Sequence, residues 1–264
     1  MYPDYETILF SIENKVAKIV INQPKTSNAF DDPVYEDVKD AFERAGQDPE
    51  VGAVLISGTG KNFSAGGNIA DFRVRIDNEV YFPNSLLTLI GQMSSAIRRC
   101  PKPTIAMING AAAGAGAGVA LACDFRIFGE SSKLIFAFIN LALTGDTSTM
   151  YYLSRMVGTA KAQELMMLGS ILSAPEADKL GLATKVVSDA ELEAASVKFA
   201  ERLAHGPLAA YARQKEQINS FFYKDQDAWT QSEAKCMWDS SLSHDFNEAV
   251  NACLEKRKPE FQGK

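Results

Sequence analysis

The chain has 264 residues, of which 46% are hydrophobic and 23% charged, enough to bury a substantial core. Its net charge of -6 disfavours non-specific nucleic-acid binding, which calls for a basic excess. No uncharged apolar run reaches the length of about 18 residues that a membrane span needs, so no membrane partner is expected.

The N-terminal MYPDYETILF has acidic residues and no basic segment ahead of an apolar run, so a secretory signal is not expected. ILFSIE, VAKIVIN and GAVLISG are rich in β-branched residues and predict strands, the first two joined at Asn14-Lys15. Between the second and third lies DDPVYEDVKDAFERAGQD. Asp31 or Asp32 suits its N-cap, Pro33 its first turn, and Val34, Val38, Phe42 and Ala45 recur at helical spacing. A glycine-bearing loop, FSAGGNIADF, follows the third strand.

Residues 82–99 predict an amphipathic helix ended by Pro101 and Pro103. TIAMING predicts a strand, the alanine and glycine run 110–122 opens a buried helix, and DFRIFGE is again strand-like. Residues 146–158 and 159–169 predict two helices, APEADKLG a short third, and 184–188 a last strand. From Asp189 the chain is expected to be helical to its end. Alternating strands and helices with a helical tail imply an α/β fold.

The four cysteines, Cys100, Cys123, Cys236 and Cys253, show no CxxC spacing, which fits free thiols in a reducing cytoplasm. Only His205 and His244 are available for histidine chemistry. Gly66 and Gly67 permit close backbone approach, although a Gly-Gly pair is often only a turn. In INGAAAGAGAGVALACD, a strand and tight turn lead into a helix whose first N–H groups are unpaired and partially positive. Such an end stabilises an oxyanion. Close helix packing is the competing explanation, and it accounts well for Gly118 but less well for the whole run.

VAKIVINQPKTSNAF, KNFSAGGNIADF, INGAAAGAGAGVALACDFRI and HDFNEAVNACLEKRKPEF, in this order, together resemble the crotonase (enoyl-CoA hydratase/isomerase) superfamily over nearly the whole chain. The resemblance implies a crotonase fold: a spiral of repeated ββα units in residues 1–195 and a helical C-terminal trimerisation region in 196–264. It implies an acyl-CoA thioester substrate, no metal or redox cofactor, and a homotrimer or dimer of trimers. Matched residue by residue, the oxyanion N–H groups belong to Gly67 and Ala115. The Lys25 to Ala29 turn and Ala65, Gly66, Asn68 and Ile69 are expected to border the CoA moiety.

The two glutamates of the family's hydratases fall at Gly118 and Phe138, both expected at the substrate pocket, and neither transfers a proton. Asp146, in TGDTSTMYYLSRMVG, matches the acid/base aspartate of several isomerases of the family and the nucleophile of 4-chlorobenzoyl-CoA dehalogenases. The local pattern is closer to the latter, but the dehalogenase histidine falls at Gly91. Asp146 followed by Thr-Ser-Thr also has the pattern of a helix N-cap. A cap would lower its pKa and an apolar pocket would raise it. Isomerisation of an enoyl-CoA double bond is the expected reaction. Hydration or hydrolysis of a cyclic or aromatic acyl-CoA and non-catalytic acyl-CoA binding stand as alternatives.

Overall fold

A computed structural model describes residues 2–264. The chain starts with strands β1 (Ile8–Glu13) and β2 (Val16–Ile21), turned at Asn14 and Lys15, both at positive φ. Helix α1 (Asp32–Gln47) follows, and Asp31 caps it by accepting from Val34 N–H at 3.4 Å. Its apolar stripe of Val34, Val38, Phe42 and Ala45 is fully buried. Strand β3 (Ala53–Gly58) is buried at every position, as its unbroken small and β-branched run requires in a parallel sheet.

Next come α2 (Ile69–Asp77), α3 (Asn84–Arg99), β4 (Thr104–Ile108), β5 (Ala111–Ala113), α4 (Ala115–Ala122), β6 (Phe125–Gly129) and β7 (Lys133–Ile135). A 3-10 turn (Ala137–Leu141) leads to α5 (Thr149–Val157), α6 (Thr159–Met167), β8 (Ile171–Ser173), α7 (Ala174–Lys179) and β9 (Lys185–Val187). The chain then runs through α8 (Leu192–Ala204), α9 (Leu208–Phe222), α10 (Gln226–Ser241) and α11 (His244–Leu254).

Among the described residues two sheets form. One has the order β1-β2-β3-β4-β6-β9, parallel except for β1 against β2, and the other the order β5-β7-β8. The chain alternates between them, β4 to β5, β6 to β7 and β8 to β9, so each pass adds a strand to both layers. Isolated bridges Phe30–Gly67 and Ser64–Ala112 carry the second layer back toward the N-terminal loops. This stepwise winding is the expected spiral. A large apolar core fills the space around α1, α3 and α4, and a smaller one seals the other sheet face under Leu192, Ala200, Leu203 and Ala204 of α8.

Three departures from the sequence reading matter for the site. The alanine run opens as strand β5, and its helix begins only at Ala115. The helix expected from 146 begins at Thr149, leaving 142–148 as a loop. The C-terminal helices stop at Leu254; the tail then folds back, and the Asp245 carboxylate accepts from Gln262 and Gly263 N–H, each at 2.8 Å. Residues 195 and 196, the expected division, both lie within α8. No helix among the described residues is long and apolar enough to cross a membrane.

Candidate functional site

Residues 64–67 run beside 111–116. Ser64 N–H donates to Ala111 at 3.0 Å and Ala113 N–H returns to Ser64 at 2.9 Å. Phe30 N–H donates to Gly66 at 2.7 Å and Asn68 N–H to Phe30 at 3.1 Å, which extends the pairing to the 23–30 loop. Gly66 has φ +87°, and a Cβ there would stand 2.9 Å from the Ala113 carbonyl oxygen. Gly114 has φ +49° and turns the chain out of β5 into α4. These two positive-φ glycines let the two glycine-rich stretches approach each other.

The N–H groups of Gly67 and Ala115 have no acceptor among the described residues. Ala115 is the first residue of α4, so its unpaired N–H belongs to a helix N-terminus, where the dipole adds partial positive charge. Ala115 is buried and Gly67 half-buried. The Phe72 ring of α2 lies over the Gly67 α-carbon, and it meets Phe82 at 5.0 Å and Phe246 at 5.9 Å between ring centres. This aromatic group beside Gly67 is not visible as a pattern in the sequence, because its members come from α2, the loop before α3, and α11.

Around the expected CoA border, Lys25 lies exposed in a 3-10 turn (Pro24–Thr26), followed by Ser27 and Asn28 at positive φ. The buried Asn28 amide donates to Thr59 O at 2.9 Å and Asn62 O at 2.8 Å, and Ala65 N–H donates to Ser27 O at 3.0 Å. The loop carrying Lys25 and Ala29 is thereby stitched to the one carrying Ala65 and Gly66. Ala65 is exposed, Ala29 and Gly66 are buried, and Asn68 and Ile69 are half-buried. The Asn68 side chain is engaged as the α2 N-cap, accepting from Ala70 N–H at 3.1 Å.

Asp146 stands at the end of the loop before α5, 8% exposed. Its carboxylate does not cap that helix. The Asp146 main-chain carbonyl accepts from Thr149 N–H at 3.0 Å and from Thr149 Oγ1 at 2.9 Å, while the carboxylate is within reach only of the Thr147 hydroxyl, 3.2 Å away. Burial pushes the carboxyl up to about 7, and the Thr147 bond offsets only part of that. Thr147 and Ser148 both sit at positive φ, 52° and 56°. Each such non-glycine residue costs about 1–2 kcal/mol, so the surroundings must hold this step in place.

They do so from several sides. Ser94 of α3 donates to Thr147 O at 2.9 Å, and its hydroxyl meets Tyr152 Oη at 2.9 Å. Gln226 of α10 donates to the same phenol at 2.7 Å. Gly118 of α4 faces the Thr147 hydroxyl, and a Cβ at Gly118 would collide with it and stand 2.6 Å from Thr149 Oγ1. Gly118 is therefore buried and packed closely under the loop that carries Asp146. Phe138, 7% exposed, joins the two halves: its ring lies 3.7 Å from a Cβ built on Gly114 and 3.5 Å from one built on Gly145.

Two groups near Asp146 escaped the sequence reading. Tyr35 of α1 is 4% exposed, and its phenol is held well above the usual range, first by burial and then by the Asp146 charge. Glu233 of α10 is raised to about 8, first by burial, with the Asp146 charge contributing. Neither residue lies in a motif, and the two are 198 positions apart in a chain whose folding alone brings them together. The histidines are not part of this site; both are exposed, His205 ending α8 and His244 opening α11. Lys256, Arg257 and Lys258 are exposed, and Arg257 pairs with Glu248 at 2.9 Å. No group of three or more potential metal ligands occurs among the described residues.

A sequence model of the enoyl-CoA hydratase/isomerase family matches residues 11–264. The chain is 32% identical, over 99% of its length and 100% of the relative's, to a trans-2-decenoyl-[acyl-carrier-protein] isomerase of Streptococcus mutans. It is also 32% identical, over 98% of its length and 99% of the relative's, to a 1,2-epoxyphenylacetyl-CoA isomerase of Escherichia coli. Its structure is similar to a crystal structure of an enoyl-CoA hydratase from Mycobacterium avium subsp. paratuberculosis, with a TM-score of 0.89 and 31% identity, covering 97% of this chain and 99% of that one.

Proposed function

This chain belongs to the enoyl-CoA hydratase/isomerase family, and on that premise we propose that it shifts the carbon–carbon double bond of an enoyl-CoA thioester, with Asp146 carrying the proton. The observation that supports this reading most directly is the state of Asp146. Its carboxyl is buried, free of a capping role and poised at about 7, where it accepts and returns a proton with little bias.

The thioester carbonyl oxygen would accept from Gly67 and Ala115 N–H. Asp146 then removes a proton from C4 of a 2-enoyl thioester, and the electron pair moves through the double bond onto that oxygen. The resulting dienolate is stabilised by the two N–H groups and the α4 dipole. The proton on Asp146 is returned at C2, which leaves the double bond between C3 and C4. One base suffices, nothing is gained or lost, and the reverse reaction uses the same steps. Phe138, beside Gly114 and Gly145, offers a face on which an unsaturated or ring-bearing acyl group stacks.

Hydration by a glutamate pair finds no support, because Gly118 is backed by Thr147 and Phe138 carries no proton. Dehalogenase-like hydrolysis finds none either: a side chain at Gly91 would start 3.0 Å from Thr230. The S. mutans relative is named as an isomerase of a trans-2-decenoyl chain, which favours the same reading. The test is exchange of C2 and C4 protons of enoyl-CoA thioesters in deuterated water, with product mass recorded. Wild type exchanges both positions without change of skeleton, and Asp146→Asn loses about 10² to 10⁴ in rate. Undiminished exchange in Asp146→Asn overturns the reading, and a gain of one water replaces it with hydration. The same acyl chain on acyl-carrier protein, run in parallel, separates the two carriers.

A further inference from the structure

A second carboxylate lies beside Asp146, and double-bond migration as described makes no use of it. Glu233 accepts through Oε2 from Ser148 N–H at 2.9 Å and through Oε1 from the Trp229 indole N–H at 3.1 Å. Ser148 is fully buried, yet its hydroxyl has no partner among the described residues. The bond from its main-chain N–H is therefore what ties Ser148 to α10. On the other side, Ser94 of α3 donates to the carbonyl of Thr147. The left-handed pair Thr147 and Ser148, directly after Asp146, is thus held between two helices through the two ends of the one peptide group that joins them.

We propose that Glu233 is a positioning residue for Asp146: by accepting from Ser148 N–H it holds the left-handed step that aims the Asp146 carboxylate. This rests on the reading of Asp146 as the proton carrier. The Asp146 charge also reaches Glu233. Burial raises Asp146 to about 7 and Glu233 to about 8, the latter with a contribution from Asp146. The other titratable groups facing the pair are Tyr35 from α1 and Tyr152 from α5, and no Lys, Arg or His contributes to either carboxyl. Two adjacent carboxyls with no cation between them lose their protons in two coupled steps. Because α10 lies in the C-terminal helical region, the aim of Asp146 then depends on that region being docked.

The test uses Glu233→Gln and Glu233→Ala in the full-length protein, with two readouts. In Glu233→Ala the acceptor is gone, and kcat falls about tenfold to a hundredfold while KM stays within about twofold. In Glu233→Gln the amide oxygen still accepts from Ser148 N–H while the Trp229 indole bond is lost, and part of kcat returns. The second readout is NMR titration of 13Cγ-labelled Asp146. Wild type shows two inflections, near 7 and near 8, and Glu233→Gln shows one. Wild-type kcat in Glu233→Ala overturns the proposal, as does a Gln variant no better than Ala, or an Asp146 titration unaltered by Glu233→Gln. If the Ala variant does not fold, the titration of the Gln variant decides alone. If Asp146→Asn keeps its exchange activity, the proton-carrier reading falls, and the titration still reports whether the two carboxyls are coupled.

Discussion

A carboxyl group kept near neutrality inside a protein carries a cost that appears in stability as well as in chemistry. Asp146 titrates at about 7 folded, against 3.8 for an unperturbed side chain. Between those values the folded chain holds a proton that the unfolded chain has released, so stability falls as pH rises. The favourable contribution is complete below about pH 4 and is lost as pH climbs through 7, a change on the order of 4 kcal/mol. Glu233, raised in the same way, extends the decline toward pH 8. Asp146→Asn keeps an oxygen for the Thr147 hydroxyl and removes the buried charge. Urea unfolding at pH 4 and pH 8 should find the variant close to wild type at the lower pH and more stable by a few kcal/mol at the higher. Parallel stability curves for the two proteins would mean that Asp146 is not desolvated. Asp146 was legible in the sequence because its neighbourhood matches a known motif. Its protonation state was not, since a cap and an apolar pocket predict opposite shifts from the same TGDTST string. The choice between them depends on which atom of Asp146 meets Thr149, and that is the main-chain oxygen.

At the level of elements, long segments with a strong period were legible, whereas of the three-residue strands only β9 was expected. The apolar stripe of α1 and the buried run of β3 carry their own signal over 16 and 6 residues. Strands β5, β7 and β8 have three residues each, too short for alternation to register, and they exist because the second sheet pairs them. Missing β5 placed the start of α4 too early, and that start is where the Ala115 N–H becomes available. Its position makes a clean substitution possible. Proline is tolerated at the first residue of a helix and has no N–H, and Gly114 ahead of it accepts the restriction a following proline imposes. Ala115→Pro should therefore keep its fold, seen as an unchanged circular dichroism spectrum, while kcat falls about 10² to 10³. Substitution of Gly67 is less informative, because any side chain there meets the Phe72 ring. Full activity in Ala115→Pro would remove that N–H from the proposed oxyanion site.

For the whole molecule, the C-terminal helices are bound to the sheet domain by a buried charge cluster. Asp124, at the end of α4, pairs with Lys215 of α9 at 2.5 Å and with Arg98 of α3, and it also accepts from Thr104 N–H at 2.9 Å. Although burial opposes it, the Lys215 and Arg98 charges hold the Asp124 carboxyl below the ordinary range. The Cys-Asp of the sequence motif is thus a fastening point for helices α3 and α9. The same helix α9 leaves Phe221 71% exposed and Phe222 68% exposed, and Leu168 and Ile171 beyond α6 are exposed at 71% and 59%. The resemblance noted in the sequence implies self-association through the C-terminal helices, and on that reading Phe221 and Phe222 of α9 are the residues to substitute. Sedimentation of the purified chain should give a multiple of its 28.7 kDa mass, three or six. Phe221→Asp combined with Phe222→Asp should yield a folded species of one chain mass at micromolar concentration. Because Glu233 and Trp229 sit on α10, the next helix, loss of assembly should also lower kcat for the thioester. A double variant that sediments as wild type would place the interface elsewhere, and a wild-type protein that sediments as one chain would leave the exposed phenylalanines of α9 without a partner copy.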